Sequence, residues 1–370
     1  MKRGIDLKIS ADYPGGNIIC RDIKTENGIT EVDVEQDLRD TDRWWFYWNF
    51  RVDSAPAGKV RFSFCNREVV CPCGAAVSEN GIDWQYDMDG YEDGTHFSYT
   101  FDGSGKSVYF AFTLPYQLGH FESFYKTISD DARIERKILC TSEAGRNVPL
   151  LVIGNGKTDV IFTVRHHCCE STASYALEGV ITALLGKHSE LLERYRFHVI
   201  PFIDIDGVEN GDQGKSRKPH DHNRDYTDAP IYNSVKAVCD YARSLNVHSF
   251  IDFHSPWKWG GADSRPHIHL DTYADKPEPM DETFVAALKE ITEKSGFDGI
   301  KYDGYVTNLG SPVNPPDTKS ASGYFKHIVG VEMSFTIETP YSGDIEKTYS
   351  PELLREWGAN IAEALRKALD

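Results

Sequence analysis

An imidazole and a carboxylate lie three positions apart where a buried strand is predicted to end. The segment Arg165-His-His-Cys-Cys-Glu170 follows an apolar run, 159–164, and precedes a helical run that starts near residue 174. Ligands of open α/β sheets bind in the loops at the carboxyl ends of strands. A hydrolytic zinc ion needs three protein ligands and one open position for water. His167 and Glu170 could supply two of them, although a polar turn with an incidental histidine has the same spacing.

Three further predicted strands end in residues that suit the same chemistry. One ends at His254, and another ends at Glu338. A third ends at Ile203 and opens into a long polar loop that reaches Arg224. If the sheet is parallel, the carboxyl ends of all four strands meet at one edge, where a ligand would bind.

Together these strand ends predict a zinc site. His167, Glu170 and His254 would form a His₂Glu site with an open fourth position, holding one zinc ion per chain. Zinc would lower the pKa of a bound water from about 16 to near 7. Glu338, beside that water, would act as general base and pass the proton to a leaving amine. A glutamate that ends an apolar strand is costly unless it has a partner or a role, though a single one could simply reach solvent.

The loop after Ile203 is locally basic, although the chain as a whole is acidic. It contains Arg217 and Arg224, whose guanidinium groups bind carboxylates through paired hydrogen bonds. Two arginines beside a hydrolytic zinc predict a substrate that ends in a carboxylate. One arginine would hold that carboxylate while the other stabilises the oxyanion.

Other side chains near these residues have less certain roles. Lys215 and Lys218 fit a solvated loop with ion pairs, which is the interpretation we prefer. Asp221 is a candidate partner for His167, because a metal-bound histidine usually donates its second N–H to a carboxylate or carbonyl. The adjacent Cys168 and Cys169 would favour a closed, structural zinc site rather than a hydrolytic one. Four spare histidines are expected at the surface or around the ligands: His220, His222, His267 and His269.

Composition excludes some function classes. The 370 residues are 40% hydrophobic and 26% charged, which is ordinary for a globular protein. A net charge of −17 argues against nucleic acid or an anionic membrane surface as the main partner. The sequence shows neither an 18-residue apolar span nor the apolar core of a signal peptide. We therefore expect a cytoplasmic protein whose eight cysteines are free thiols.

Two regions differ in their periodicity and predict two domains. Short apolar and aromatic runs separated by turns, in residues 1–125, predict an antiparallel β-sandwich. Strands alternate with helices in residues 126–370, which predicts an α/β fold with a mixed, mostly parallel sheet flanked by helices. Charges at helical spacing indicate a helical segment over 121–139, and the further predicted helices are 172–186, 231–245, 281–295 and 351–369. The last helix should begin with Ser350 as its cap and Pro351 at its first position. The aromatic segment 44–50 fits sandwich core and domain interface better than a carbohydrate-stacking platform.

The ordered set of motifs resembles the zinc carboxypeptidases of the carboxypeptidase A superfamily, above all the cytosolic carboxypeptidase subfamily and its bacterial relatives. The likeness covers residues 140–369, and the region before it is similar to the sandwich that precedes the catalytic domain in that subfamily. The matching motifs are Arg165-x-His167-x-x-Glu170, Asp206-Gly207, Arg217, Asp221-x-Asn223-Arg224, Asp252-x-His254 and Ser334-Phe-Thr-Ile-Glu338.

This resemblance implies a carboxypeptidase-like fold and specific roles for individual residues. The implied roles are zinc binding for His167, Glu170 and His254, general base for Glu338, the oxyanion position for Arg217, and binding of the substrate carboxylate for Asn223 and Arg224. The chain departs from the family pattern at Cys168-Cys169, where Pro-Gly is usual. Deglutamylating members have an arginine in the stretch where Ser322-Gly323 stands here, so the resemblance does not imply glutamate specificity.

The predicted function is that of a zinc metallocarboxypeptidase, which hydrolyses the C-terminal peptide or isopeptide bond of a peptide with a free carboxylate. One alternative is a zinc amidohydrolase that acts on N-acyl amino acids or cell-wall peptides; the Asn223-Arg224 pair and the sandwich favour a peptidase. Another alternative is a non-catalytic binding protein with a vestigial zinc site. The complete ligand set and Glu338 speak against it.

Overall fold

Short strands fill the first third of the chain, and strand–helix alternation follows. The computed structural model describes residues 6–370 except 27, 66, 271–277, 297–298, 308–317 and 344–346. Its strands are β1 (Lys8–Ser10), β2 (Ile19–Glu26), β3 (Ile29–Glu35), β4 (Asn49–Ser54), β5 (Gly58–Ser63), β6 (Ala75–Ser78), β7 (Gln85–Asp87), β8 (Tyr91–Asp93), β9 (His96–Phe101), β10 (Val108–Ala111), β11 (Ile134–Thr141), β12 (Asn147–Ile153), β13 (Thr158–Val164), β14 (Tyr195–Ile200), β15 (Val247–His254), β16 (His267–Leu270), β17 (Val306–Thr307) and β18 (Met333–Glu338).

Helices occur mainly in the second part of the described chain. The α-helices are α1 (Leu118–Ile128), α2 (Thr172–Leu185), α3 (Leu191–Arg194), α4 (Ile205–Asn210), α5 (Asn233–Ala242), α6 (Pro279–Lys294), α7 (Ala321–Tyr324) and α8 (Pro351–Leu369). Short 3₁₀ turns span His222–Arg224 and Gly261–Ser264, and a π-helical turn spans Phe325–Val329. None of the helices within the described ranges is both long and apolar enough to cross a bilayer.

Two five-stranded sheets pack face to face through aromatic side chains, and we call these strands and their connecting loops the N-terminal sandwich. Its sheets have the orders β1–β4–β10–β6–β7 and β2–β3–β5–β9–β8. Phe50 and Phe110 of one sheet contact Phe62 and Phe97 of the other, with ring centroids 5.2–6.4 Å apart. The predicted antiparallel pairing is confirmed for these sheets, with one exception, since β3 and β5 run parallel.

The third sheet is mixed, with the order β11–β12–β14–β13–β15–β18–β16–β17. Its centre, β14–β13–β15–β18, is parallel, whereas β11 and β12 on one side and β16 on the other pair antiparallel. This confirms the predicted α/β architecture. Parallel strands buried on both faces are mostly apolar, and β13, β15 and β18 are buried along most of their length. Their carboxyl ends lead into the polar residues that the sequence singles out, at one edge of the sheet.

Helix α2 starts directly after the predicted ligand Glu170 and is held by α8. The two backbones touch at two glycines: a Cβ on Gly179 would lie 1.9 Å from the carbonyl oxygen of Arg355, and one on Gly358 would lie 1.9 Å from that of Ala176. A larger residue at either position would force the helices apart. This close crossing anchors the strand–turn–helix unit that carries the first metal-binding motif.

The predicted helices 172–186, 231–245, 281–295 and 351–369 correspond to α2, α5, α6 and α8. Ser350 caps α8, with its Oγ accepting a hydrogen bond from the Leu353 amide at 3.3 Å. The structure differs at residues 121–139, where charges at helical spacing predicted a helix, because α1 ends at Ile128 and β11 follows. As the edge strand of the sheet, β11 exposes charged residues that resemble a helix surface in sequence.

Candidate metal centre and active site

The predicted strand ends meet at one edge of the third sheet. In the register of the parallel strands, Val164 of β13 lies beside Phe253 of β15. The next residue, His254, lies beside Glu338 of β18. The turn that follows β13 brings Glu170 back under these ends, where its Oε2 accepts a hydrogen bond from the Ser255 amide at 3.1 Å. Four side chains from three strand ends therefore converge.

His167, Glu170 and His254 form a compact group of potential metal ligands. One ligand atom from each lies within 4.8 Å of the other two. Both histidines turn Nδ1 toward Glu170, at 2.9 Å from Oε1 for His167 and 2.6 Å from Oε2 for His254. Ligand atoms on a tetrahedral zinc lie roughly 3.4 Å apart for bonds of about 2.0–2.1 Å. The donor set and the small adjustment required fit a zinc ion.

Two aspartates face the other nitrogens of these histidines. His254 Nε2 lies 2.6 Å from Asp252 Oδ2, and His167 Nε2 lies 3.6 Å from Asp221 Oδ1. A carboxylate on the outer nitrogen holds the ring and leaves the inner nitrogen free to bind metal. The structure thus places Asp221 beside His167, as the sequence predicts, and adds Asp252 as the equivalent partner of His254.

The charges of the group favour a cation. Burial alone would raise the pKa of Glu170, but Lys215, His167 and His254 outweigh it and hold that pKa well below its usual value. Burial lowers the pKa of His254, yet Asp252 and Glu170 together raise it well above its ordinary value. A cluster of carboxylates that makes an imidazole retain a proton is also one that attracts a metal ion.

The group opens into a cavity of about 570 Å³, which we call the metal cavity. Glu338 lines it, and its Oε2 is buried with no hydrogen-bond partner among the described residues. The N-terminal sandwich contributes Arg43 and Trp45 to the wall, and the loop after His254 contributes Trp257. The cavity is therefore built from both sandwich and sheet.

Asn223 and Arg224, the predicted carboxylate-binding pair, also line the metal cavity. A 3₁₀ turn, His222–Arg224, presents them. Asn223 is held by a hydrogen bond from the Ala321 amide to its Oδ1, at 2.9 Å, while its Nδ2 lies 3.5 Å from His254 Nε2. The structure therefore brings together the three candidate ligands, the candidate base and this pair.

Arg217 is the predicted site residue that the structure places elsewhere. It lines a neighbouring cavity of about 250 Å³, which we call the arginine cavity. Its guanidinium nitrogens lie 3.0 Å from Asp40, 2.7 Å from Asp204 and 3.2 Å from Asp212. The charge of Arg217 is thus matched by three carboxylates. Its Nη2 lies 3.9 Å from the Sγ of Cys168, and Arg217 does not line the metal cavity.

Lys215 lies in the metal cavity, where sequence reasoning did not expect it. Only 7% of the residue is exposed, and its Nζ lies 2.5 Å from Glu170 Oε1 and 5.2 Å from the ring centroid of Trp45. The prediction of a solvated side chain is wrong for Lys215. It is right for Lys218, whose side chain is 79% exposed and pairs with Asp42.

Two buried polar residues besides Lys215 were not assigned to the site from the sequence. Asp252 follows the two-residue period of β15, so it points to the same side of the sheet as His254; that spacing was available as a signal. His166 is fully buried between Asp252 Oδ1 at 2.9 Å and the hydroxyl of Tyr226 at 2.8 Å. The three-residue spacing to Glu170 selects His167 as the ligand, and it gives no signal for the role of His166.

Comparison with known families decides the classification. The family model described as zinc carboxypeptidase matches residues 122–367. The chain belongs to the zinc carboxypeptidase family. The match includes every residue of the metal group, the candidate base and the carboxylate-binding pair. The zinc carboxypeptidase assignment also agrees with the His₂Glu donor set, which the geometry supports independently.

Curated relatives are cytosolic carboxypeptidases. Cytosolic carboxypeptidase 1 of Xenopus laevis is 24% identical over 292 residues, which cover 68% of this chain and 23% of the relative. Cytosolic carboxypeptidase 6 of Caenorhabditis elegans is 27% identical over 165 residues, covering 39% of this chain and 36% of the relative. The aligned regions thus span about a quarter to a third of the length of these curated relatives.

Solved structures share the fold over nearly the whole chain. A metallo-carboxypeptidase from Burkholderia cenocepacia superposes with a TM-score of 0.75 at 20% identity, covering 98% of this chain and 99% of the other. A metallo-carboxypeptidase from Pseudomonas aeruginosa, in complex with (2-guanidinoethylmercapto)succinic acid, gives 0.75 at 21% identity and covers 98% of both chains. The likeness includes the N-terminal sandwich as well as the third sheet.

Proposed function

We propose that this protein is a zinc-dependent metallocarboxypeptidase that hydrolyses the C-terminal peptide bond of a peptide substrate. One observation carries the proposal: His167, Glu170 and His254 share a cavity with Glu338, whose Oε2 has no hydrogen-bond partner among the described residues. A zinc ion held by the three ligands would polarise the scissile carbonyl and lower the pKa of a water molecule.

Glu338 is the proposed general base. It takes a proton from the attacking water and donates it to the amine that leaves. Its place at the end of β18, beside His254 in the sheet register, holds its carboxylate close to the ligands. A buried carboxylate oxygen without a partner is costly, so the reacting water is the partner that explains its position.

Arg224 and Asn223 are the proposed binding site for the terminal carboxylate of the substrate. A guanidinium group binds a carboxylate with paired, charge-assisted hydrogen bonds, and the fixed amide of Asn223 adds another donor. The Pseudomonas aeruginosa relative is in complex with a succinic acid derivative, a ligand that carries carboxylates. A similar affinity of this protein for carboxylate ligands is part of the proposal.

Lys215 is the proposed cation for the oxygen of the scissile carbonyl, in place of Arg217. Its ammonium group is buried in the metal cavity beside Glu170, whereas the charge of Arg217 is already matched by three carboxylates in the arginine cavity. A preorganised positive charge in a water-poor site stabilises the negative charge that develops during hydrolysis.

We also propose a reducing compartment, since all eight cysteines are free thiols.

The decisive test compares Glu338→Gln with the matched control Glu332→Gln, which changes an exposed glutamate just before β18. Zinc content is measured first, followed by kcat and KM on peptides with free and with amidated C-termini. We expect the wild type and the control to cleave only free C-termini. Glu338→Gln should keep its zinc and lose about 10²–10⁴-fold in kcat. Undiminished turnover by that variant would overturn the proposed base.

A further inference from the structure

The N-terminal sandwich makes several hydrogen bonds to the loop that carries Lys215. Asn17 donates a hydrogen bond from Nδ2 to the Gly211 carbonyl at 2.7 Å. The side chain of Gln213 makes two hydrogen bonds to the backbone of Tyr47. Its Oε1 accepts from the Tyr47 amide at 2.9 Å, and its Nε2 donates to the Tyr47 carbonyl at 2.8 Å. Residues on the N-terminal side of Lys215 are thus tied to the sandwich.

Asp40 of the sandwich holds the loop on both sides of Lys215. Its Oδ1 accepts from the Gln213 amide at 2.9 Å, and its Oδ2 accepts from the Gly214 amide at 2.8 Å. The same Oδ2 accepts from Arg217 Nε at 3.0 Å. One carboxylate therefore restrains residues 213, 214 and 217, with Lys215 between them.

The restrained loop packs directly on the segment that carries the first metal ligands. Gly214 has φ +76°, and a Cβ there would lie 2.4 Å from the Cys168 amide nitrogen. Because backbone meets backbone at this point, the loop lies directly on the segment that carries His167 and Glu170. The position of the loop therefore sets the distance between the Lys215 ammonium and Glu170. The geometry of the cation thus depends on contacts made about 170 residues earlier in the chain.

We infer that Asp40 is a positioning residue, through which the N-terminal sandwich sets the place of the Lys215 ammonium in the metal cavity. The inference rests on the proposed function, in which that ammonium stabilises the carbonyl oxygen during hydrolysis. A charge that acts on a transition state must be held in place before the reaction. The sandwich is then a working part of the active site, besides contributing Arg43 and Trp45 to the cavity wall.

A double-mutant cycle tests this inference. Asp40→Asn, Lys215→Met and the double variant are compared in kcat and KM on a peptide with a free C-terminus, with zinc content and thermal stability measured for each. We expect Asp40→Asn to lower kcat at least 10-fold, to change KM less than 3-fold and to keep its zinc. In the Lys215→Met background the same change should lower kcat less than 2-fold, because the group it positions is gone.

The matched control is Asp42→Asn, which removes an exposed carboxylate two residues away that pairs only with the exposed Lys218 among the described residues. It should leave kcat within 2-fold in both backgrounds. Gln213→Ala loosens the same loop through Tyr47, independently of Asp40, and should reproduce the pattern if Asp40→Asn folds poorly.

Two outcomes would overturn the inference: full kcat in Asp40→Asn and Gln213→Ala, or an equal loss of kcat with and without Lys215. The second outcome would show that the contacts of Asp40 with the loop serve only the fold. Undiminished turnover in Glu338→Gln would instead refute the proposed function, so the two failures are distinguishable.

Discussion

Two neighbouring cavities contain buried charged side chains, which are fully paired in the arginine cavity and only partly paired in the metal cavity. In the arginine cavity, each guanidinium nitrogen of Arg217 faces a carboxylate, and the group is closed. In the metal cavity, Glu338 Oε2 is buried without a hydrogen-bond partner in the part of the chain that is described, and Asp221 Oδ1 faces only the His167 ring nitrogen, 3.6 Å away. Lys215, two residues from Arg217, belongs to the metal cavity.

The comparison shows how matched and unmatched charges differ in role. A buried ion pair with its partners in place contributes to the fold, and breaking it exposes the cost of the charges left behind. A buried polar atom without a partner costs free energy for as long as it stays unmatched. Such atoms gathered in one open cavity indicate that a metal, a water molecule or a substrate completes the set.

Removing one candidate metal ligand should have the largest effect on zinc binding and turnover. A small effect would contradict the difference drawn between the two cavities. His254→Ala leaves Asp252 and Glu170 without the imidazole between them, so the zinc site should be lost and kcat/KM should fall at least about 10³-fold. Wild-type protein should unfold at a higher temperature with zinc than after chelation, because a ligand that binds only the folded state stabilises it.

Thermal unfolding with and without zinc, metal analysis and peptide hydrolysis check this expectation. His248→Ala is the control, since His248 lies at the opposite end of the same strand and bonds Ser249. It should keep both zinc and turnover. A His254→Ala variant that still binds zinc and is stabilised by it would show that the metal group is assigned wrongly.

The next prediction concerns the arginine cavity. Arg217→Met leaves Asp40, Asp204 and Asp212 facing one another without their shared cation. We expect the free energy of unfolding to fall by about 3–5 kcal/mol, as when one partner of a buried ion pair is removed. Urea unfolding measures the loss, and Lys218→Met, at an exposed ion pair, should change stability by less than about 1 kcal/mol. Unchanged stability in Arg217→Met, with turnover abolished, would return Arg217 to a direct role in catalysis.

The difference between the two cavities also marks the limit of what the sequence predicted. Apolar strands ending at His254 and Glu338 predicted their meeting, because a parallel register aligns the carboxyl ends. Spacing within the loop could not decide between Lys215 and Arg217 as the cation in the metal cavity. The deciding contacts come from Asp40, and a partner so distant in sequence leaves no local pattern.

A similar ambiguity explains why the helical segment indicated over 121–139 is helical only as far as Ile128. Charged residues at helical spacing occur both on a solvent-exposed helix and on an edge strand, and β11 is an edge strand whose exposed face is charged. By contrast, α8 was predicted with its cap, because Ser350 and Pro351 act through neighbouring backbone groups and need no distant contact.

The smallest predicted effect concerns Asp281, a buried and only partly matched carboxylate outside both cavities, in the first turn of α6. It is 1% exposed, its Oδ1 has no hydrogen-bond partner among the described residues, and burial raises its pKa to about 7. If unmatched charge indicates chemistry only where a cavity can admit a partner, Asp281 should affect stability alone.

Its pH dependence has a definite sign. The folded-state pKa lies above the unfolded value of about 3.9, so the folded protein binds the proton more tightly, and stability from this group is lost as pH rises toward and through 7. Asp281→Asn removes that loss. The stability of the variant relative to wild type should therefore become more favourable by roughly 2.5 kcal/mol between pH 5 and pH 8, at about 1.4 kcal/mol per pH unit below the folded-state pKa. Urea unfolding of both proteins at the two pH values measures the change, with Glu282→Gln, the exposed neighbour, as a control that should show none.

Peptide hydrolysis should be the same in all three proteins. A relative stability that does not vary with pH would mean that Asp281 is matched after all, and a loss of turnover in Asp281→Asn would mean that unmatched charges outside the metal cavity also serve the reaction.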